Sequence, residues 1–177
     1  MKVLNILLVF SVCLTVAMAG EVTVNLDRVA LLNPAPNQEN DSGNRLAIHF
    51  SIPEEVASSN IVYAELTIPI DLSQVNYEGD DILEIQARDI TDDWTEEDAN
   101  CFSDLDSNSF YSYTINMQND RAMYMDITEF VHNQVDGELD NFGLMLVPFK
   151  YDQQVFNLPR AVISLIRNSA RIKIIYE

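Results

Sequence analysis

Along most of its length the chain alternates apolar and polar residues with a period of two, and this limits it to strands that turn one face toward a core. Val22-Thr23-Val24-Asn25-Leu26 alternates. In the next run Leu46, Ile48, Phe50 and Ile52 fall on one face, with Ala47, His49 and Ser51 on the other. Val62, Ala64, Leu66, Ile68 and Ile70 share a face, and Leu83, Ile85 and Ala87 oppose Glu84, Gln86 and Arg88. Residues 110–117, 123–127, 142–147, 161–166 and 171–176 supply further runs. About nine strands are predicted, each half buried. Breaker clusters separate them, among them Asn33-Pro34-Ala35-Pro36, Asp41-Ser42-Gly43-Asn44, Glu78-Gly79-Asp80-Asp81 and Asn119-Asp120. Short strands with frequent turns predict an all-β fold, an antiparallel β-sandwich of jelly-roll type, and argue against a parallel α/β sheet.

One segment departs from the period. Ile127, Phe130, Val131 and Val135 have helical spacing. Asp126 and Glu129 stand at capping-box spacing, and Gly137 can close a helix in the left-handed conformation. This predicts one short helix of about two turns plugging an end of the sandwich.

The first nineteen residues read as a secretory signal peptide. Lys2 is followed by an apolar stretch from Val3 to Val16, and Ala17-Met18-Ala19 places small residues at the −3 and −1 positions of a cleavage site. Residues 20–177 are then one domain. Removal of Cys13 with the signal leaves Cys101, which reads best as a buried thiol. Asn40-Asp41-Ser42 is an N-glycosylation sequon that matters only in a eukaryotic secretory pathway.

Charge narrows the partners. The 177 residues carry 28 acids against 10 Lys and Arg, a formal net charge of −18. Phosphate backbones and anionic membrane surfaces are attracted by basic residues, so both are excluded as partners. The densest acidity runs from Asp89 to Asp106.

Several segments in order resemble a known family. Arg45-Leu46-Ala47-Ile48-His49-Phe50-Ser51-Ile52-Pro53, then Ile61 and Ala64-Glu65-Leu66, is similar to the opening of the DNRLRE domain family. The middle matches through Ile85 to Ile90 with Asp93-Trp94-Thr95-Glu96, and through Tyr124-Met125-Asp126-Ile127-Thr128 with Val131. Asn141-Phe142-Gly143-Leu144-Met145-Leu146 and Arg171-Ile172-Lys173-Ile174-Ile175-Tyr176 complete it, with Ala170 where the family has Pro. The resemblance covers roughly residues 22–177. It implies an extracellular, disaggregatase-related jelly roll, similar in pattern to the TGF-beta propeptide. It also implies a non-catalytic role, since some such domains are classed as carbohydrate-binding modules.

The chemistry-bearing residues agree with a non-enzyme. His49 lies in the polar phase of its strand and His132 on the predicted helix, so both read as surface or rim residues. One mature Cys and two separated His give no zinc spacing. Acids are too many for any pair to mark a hydrolase or lyase. Calcium is the cofactor the residues allow: Asp104, Asp106 and Asn108 place oxygens at alternate positions, with Asp92 or Asp93 able to contribute. The EF-hand pattern fails, because Ile115 stands where the bidentate Glu belongs. Sugar binding needs aromatic platforms with polar neighbours, and Tyr63, Trp94, Tyr111 and Tyr113 are the candidates. Trp94 reads better as packed beneath its loop, while for the tyrosines an exposed platform and a place in the core both stay open. The expected function is a secreted extracellular or cell-surface module that binds polysaccharide. The alternative is a structural or assembly subunit joined to neighbouring surface proteins.

Overall fold

The computed structural model describes residues 19–32, 45–69, 82–91, 93–94, 105–116, 120–138, 140–150 and 166–177. Nine strands and one helix of two turns are present among them, besides a single helical turn at 166–169: β1 (Gly20–Asn25), β2 (Arg28–Leu32), β3 (Arg45–His49), β4 (Ile61–Pro69), β5 (Ile82–Ile90), β6 (Leu105–Asn116), β7 (Ala122–Asp126), α1 (Thr128–Val135), β8 (Leu144–Lys150) and β9 (Arg171–Tyr176). They form two antiparallel sheets, ordered β1-β9-β4-β7 and β2-β3-β8-β5-β6. The pairs are nested. Gly20 meets Tyr176, Leu46 meets Leu146, Glu65 meets Asp126 and Ile85 meets Tyr113. All four pairs centre near position 97, at about the middle of one long antiparallel ribbon, and alternate pairs of that ribbon fall in opposite sheets. That is the jelly-roll winding expected from the sequence. β2 is an extra strand beside β3.

The core lies between the sheets. Leu46, Ile48, Phe50, Leu66, Met123, Met125, Leu144, Ile172 and Ile174 are all fully buried there. Each such side chain contributes about 1.5–3 kcal/mol from the apolar area it removes from water.

Four details differ from simple alternation. β2 was not foreseen, because Arg28-Val29-Ala30-Leu31-Leu32 lacks a period of two. β4 carries a register shift between Ile61 and Tyr63. The bulge turns Ile61 inward and leaves Val62 exposed, although the even phase had placed Val62 in the core. β3 and β8 are buried on both faces where half burial was expected. The continuous apolar run Leu144-Met145-Leu146-Val147 is the sequence mark of that double burial. Lastly, the run at 161–166 lies outside the described residues except for Ile166, which opens a single helical turn over 166–169.

The second buried face explains Trp94. Ala30, Ala47, Ile90, Met145 and Val147 form a small cluster on the outside of the five-stranded sheet, and Trp94 closes it with Phe142. The indole is 2% exposed and donates from Nε1 to the Phe142 carbonyl at 2.6 Å. The Arg28 guanidinium lies 4.9 Å from the ring centroid and donates to the Trp94 carbonyl. No ring face is left for a sugar to stack on, so Trp94 works as the packed residue.

One end of the sandwich is tied by a polar clamp. His49 was expected at the surface or rim, but it is 9% exposed, because the chain from Asp27 and the approach to β8 both fold over it. Its Nδ1 faces Asp27 Oδ1, and its Nε2 lies 3.1 Å from the Asn141 carbonyl. Ser51 donates to Asp27 Oδ2 at 2.7 Å, and the Asn141 amide donates to the Phe50 carbonyl at 2.9 Å. Burial works to raise the Asp27 carboxyl. The hydrogen bonds from His49 and Ser51, with the charges of His49 and Arg28, outweigh it and hold the carboxyl below its usual value. A depressed carboxyl stabilises the fold above its unfolded pKa and loses that contribution as pH falls through the lower folded value. Asp27→Asn is therefore expected to lower stability at pH 7 by less than about 1 kcal/mol, given partial solvent screening. In urea titrations the gap to the parent protein should close at pH 3 or below. An undiminished gap there would show that the carboxylate's charge is not what stabilises.

Candidate ligand cleft

The two sheets meet at one side. β6 is the outer strand of the five-stranded sheet and β7 the outer strand of the four-stranded one, the two run close to each other, and α1 follows directly from β7 and packs against β4. The helix turns Phe130 and Val131 into the core, with Phe130 meeting Phe50 at a centroid distance of 5.8 Å and a tilt of 54°. Thr128, Glu129, His132 and Asn133 lie on another side of the helix, as helical periodicity requires.

The corner entering the helix is fixed by hydrogen bonds. Asp126 Oδ1 accepts from the Thr128 backbone N–H at 2.9 Å and from its hydroxyl at 2.6 Å. Thr128 Oγ1 in turn accepts from the Ala64 N–H at 2.9 Å, pinning the helix start to β4. The expected capping box does not form: the N-cap position is Ile127, which has no side-chain cap, and Asp126, one residue earlier, bonds Thr128 instead of the Glu129 N–H. Gly137 closes the helix end at φ +71°, as expected.

Between α1 and β6 lies a cleft of about 640 Å³, lined by Tyr111, Ser112, Asp126, Thr128, Glu129, His132 and Asn133. The size is that of small-ligand sites. Tyr111 is half-buried on the inner face of edge strand β6, beside Ala87 of β5. Burial first, and then the charges of Asp89, Glu129 and Asp126, push its phenol well above the ordinary value, so it stays a neutral donor. His132 Nδ1 pairs with Asp136 Oδ2 at 2.9 Å, one helical turn on. The cleft thus combines an aromatic wall with carboxylates, hydroxyls and an amide.

Of the four aromatic candidates, Tyr111 alone lines the cleft. Tyr113 is two residues along the same face, partly buried against the core. Tyr63 stands on the outer face of β4, where its hydroxyl donates to Glu65 Oε2 at 2.8 Å. That hydrogen bond, then burial and the charges of Glu65 and Asp126, pushes its phenol up to about 12. Glu65 pairs in register with Asp126, so the outer face carrying Tyr63 meets the cleft at Asp126.

The calcium candidates do not gather into a described site. Asp92 and Asp104 lie outside the described residues, as do the side chains of Asp106 and Asn108 in β6. Asp93 is described: its Oδ1 pairs with Arg28 at 3.3 Å and accepts the Trp94 N–H at 2.9 Å. Among the described residues no three His, Cys, Asp or Glu side chains are grouped to hold a metal.

Ser51, His49 and Asp27 do come together, but in the wrong order for nucleophilic catalysis. There the imidazole must stand between hydroxyl and carboxylate. Here the carboxylate stands between hydroxyl and imidazole, and the second ring nitrogen is held by the Asn141 carbonyl.

Sequence reasoning singled out Tyr111 but read Asp126 and Glu129 only as helix caps, and passed over Ser112, Thr128 and Asn133. The spacing of positions 128, 129, 132 and 133 marks a polar helix face. What that face looks onto is set by the winding of two edge strands far apart in sequence. No protein-family model matches the chain, and no curated protein matches it.

Proposed function

We propose that the protein is a secreted, non-catalytic module that binds carbohydrate in the cleft between α1 and β6. The observation that carries this reading is Tyr111, a half-buried ring at the cleft wall with Asp126, Glu129 and Asn133 around it. Sugar C–H faces stack on such rings, while carboxylate and amide groups take up hydroxyl hydrogen bonds. Asp126 has one oxygen committed to Thr128 and the other open to a ligand among the described residues. The resemblance to DNRLRE domains and the signal-like residues 1–19 support the same reading. Tyr111→Ala should weaken binding to the best polysaccharide in affinity electrophoresis by roughly tenfold or more, as loss of a stacking ring at a binding centre does, without shifting the thermal midpoint by more than a few degrees. Equal retardation of parent and variant would remove the cleft as the site. A protein that binds no polysaccharide tested, but self-associates, would replace this reading with the assembly role.

A further inference from the structure

The cleft is chemically one-sided. Its acids come from two elements, Asp126 from β7 and Glu129 from α1. His132 is the only described lining residue able to carry positive charge, and Asp136 already holds it. On β9, Lys173 is committed to Glu21 at 2.9 Å. Arg171 donates to the carbonyls of Ala170 and Asn168. The aromatic wall sits inside this field: Asp89, Glu129 and Asp126, from three elements, all act on Tyr111. At physiological salt a charge is screened over about 8 Å, so a ligand in the cleft feels these lining groups and little of the net charge elsewhere.

Resting on the carbohydrate reading above, we propose that the cleft selects saccharides bearing free amines, glucosamine-type oligomers, over neutral or uronate ones. An ammonium beside the Tyr111 ring gains cation–π attraction and pairs with Glu129 or the open oxygen of Asp126. An N-acetyl group keeps the sugar's shape and hydroxyls but removes the charge. A uronate brings a third negative charge to the acids already there, which disfavours it.

The experiment titrates the purified protein with three oligomers of matched length, glucosamine, N-acetylglucosamine and galacturonate, at 50 and 500 mM salt by calorimetry. The expected order is glucosamine tightest, roughly fivefold over the acetylated form at low salt, with galacturonate weakest and the preference shrinking at high salt. Glu129→Gln should bring the ratio of the first two close to one. Glu54→Gln with Glu55→Gln, which alters exposed acids outside the cleft, should leave the ratio as it is. Equal affinity for glucosamine and acetylated oligomers, or a preference that survives Glu129→Gln, overturns the amine selectivity and leaves the carbohydrate reading standing. If none of the three oligomers nor any other polysaccharide binds, both fall.

Discussion

Gly143→Ala is expected to leave little folded protein. A Cβ at this position would stand 2.1 Å from the Ile48 carbonyl oxygen and 3.2 Å from the His49 Cα, both backbone atoms, while φ is +98°. Gly143 also holds the approach to β8 against β5, since its carbonyl accepts the Ile90 N–H at 3.0 Å. Relief would require separating β3 from the start of β8, which disturbs the Asp27–His49–Asn141 clamp and the Trp94 cluster together. The cost should reach at least about 4 kcal/mol, a large part of a domain's stability, and lower the thermal midpoint by roughly 10 °C or more. Gly137→Ala separates the two causes. Gly137 has φ +71° but nothing within 4 Å of its added Cβ, so it should cost only about 1–2 kcal/mol from backbone strain. Similar midpoints for the two variants would show that the close approach to Ile48 is not the reason for glycine.

Phe130→Ala comes next. The ring is 1% exposed, sits against Phe50 and anchors α1 to the core. Removing it should cost about 3–5 kcal/mol through lost burial and a cavity, a fall of roughly 6–20 °C in thermal midpoint. Its second effect is local. Thr128 still pins the helix start to β4, but only Val131 and the partly buried Val135 then seat the rest of the helix. The Glu129, His132 and Asn133 side of the cleft should therefore lose its position, and carbohydrate affinity should fall at temperatures where the variant is still folded. Trp94 gives a separate readout of folding, being the only Trp, buried in the other cluster. A variant that melts early yet binds as tightly as the parent would place the binding site away from α1.

The sequence made the strands legible wherever one face meets the core and the other meets water, as in β4, β5, β7 and β9. It was less informative where that condition fails. His49 looked polar-phase because the code of alternation assumes solvent on the second face; here Asp27 and Asn141 cover it. Val62 looked like core because a bulge shifts phase without leaving a distinctive residue. β2 is short and nearly continuous in apolar residues, so it carries no alternation to mark it as a strand. The site was legible one residue at a time: Tyr111 stands out as an aromatic on a strand, and Asp126 and Glu129 as acids at a helix start. Their meeting depends on β6 and β7 being edges of different sheets, which is a property of topology and leaves no local trace.

The nested pairing has a consequence for how the protein must be made. Gly20 finds its partner in Tyr176, across on the order of 150 residues, and such distant pairings place a fold among the slow ones. β9 lies between β1 and β4, and its Ile172 and Ile174 are fully buried. Until that strand arrives, the four-stranded sheet has a gap at its second position and β1 has nothing to pair with. A chain emerging from the ribosome can therefore assemble the β5–β6 and β4–β7 pairs while its first strand waits. That open state leaves the facing backbone edges of β1 and β4 unpaired in the meantime. It also makes β9 the step at which slow folding or aggregation should first appear.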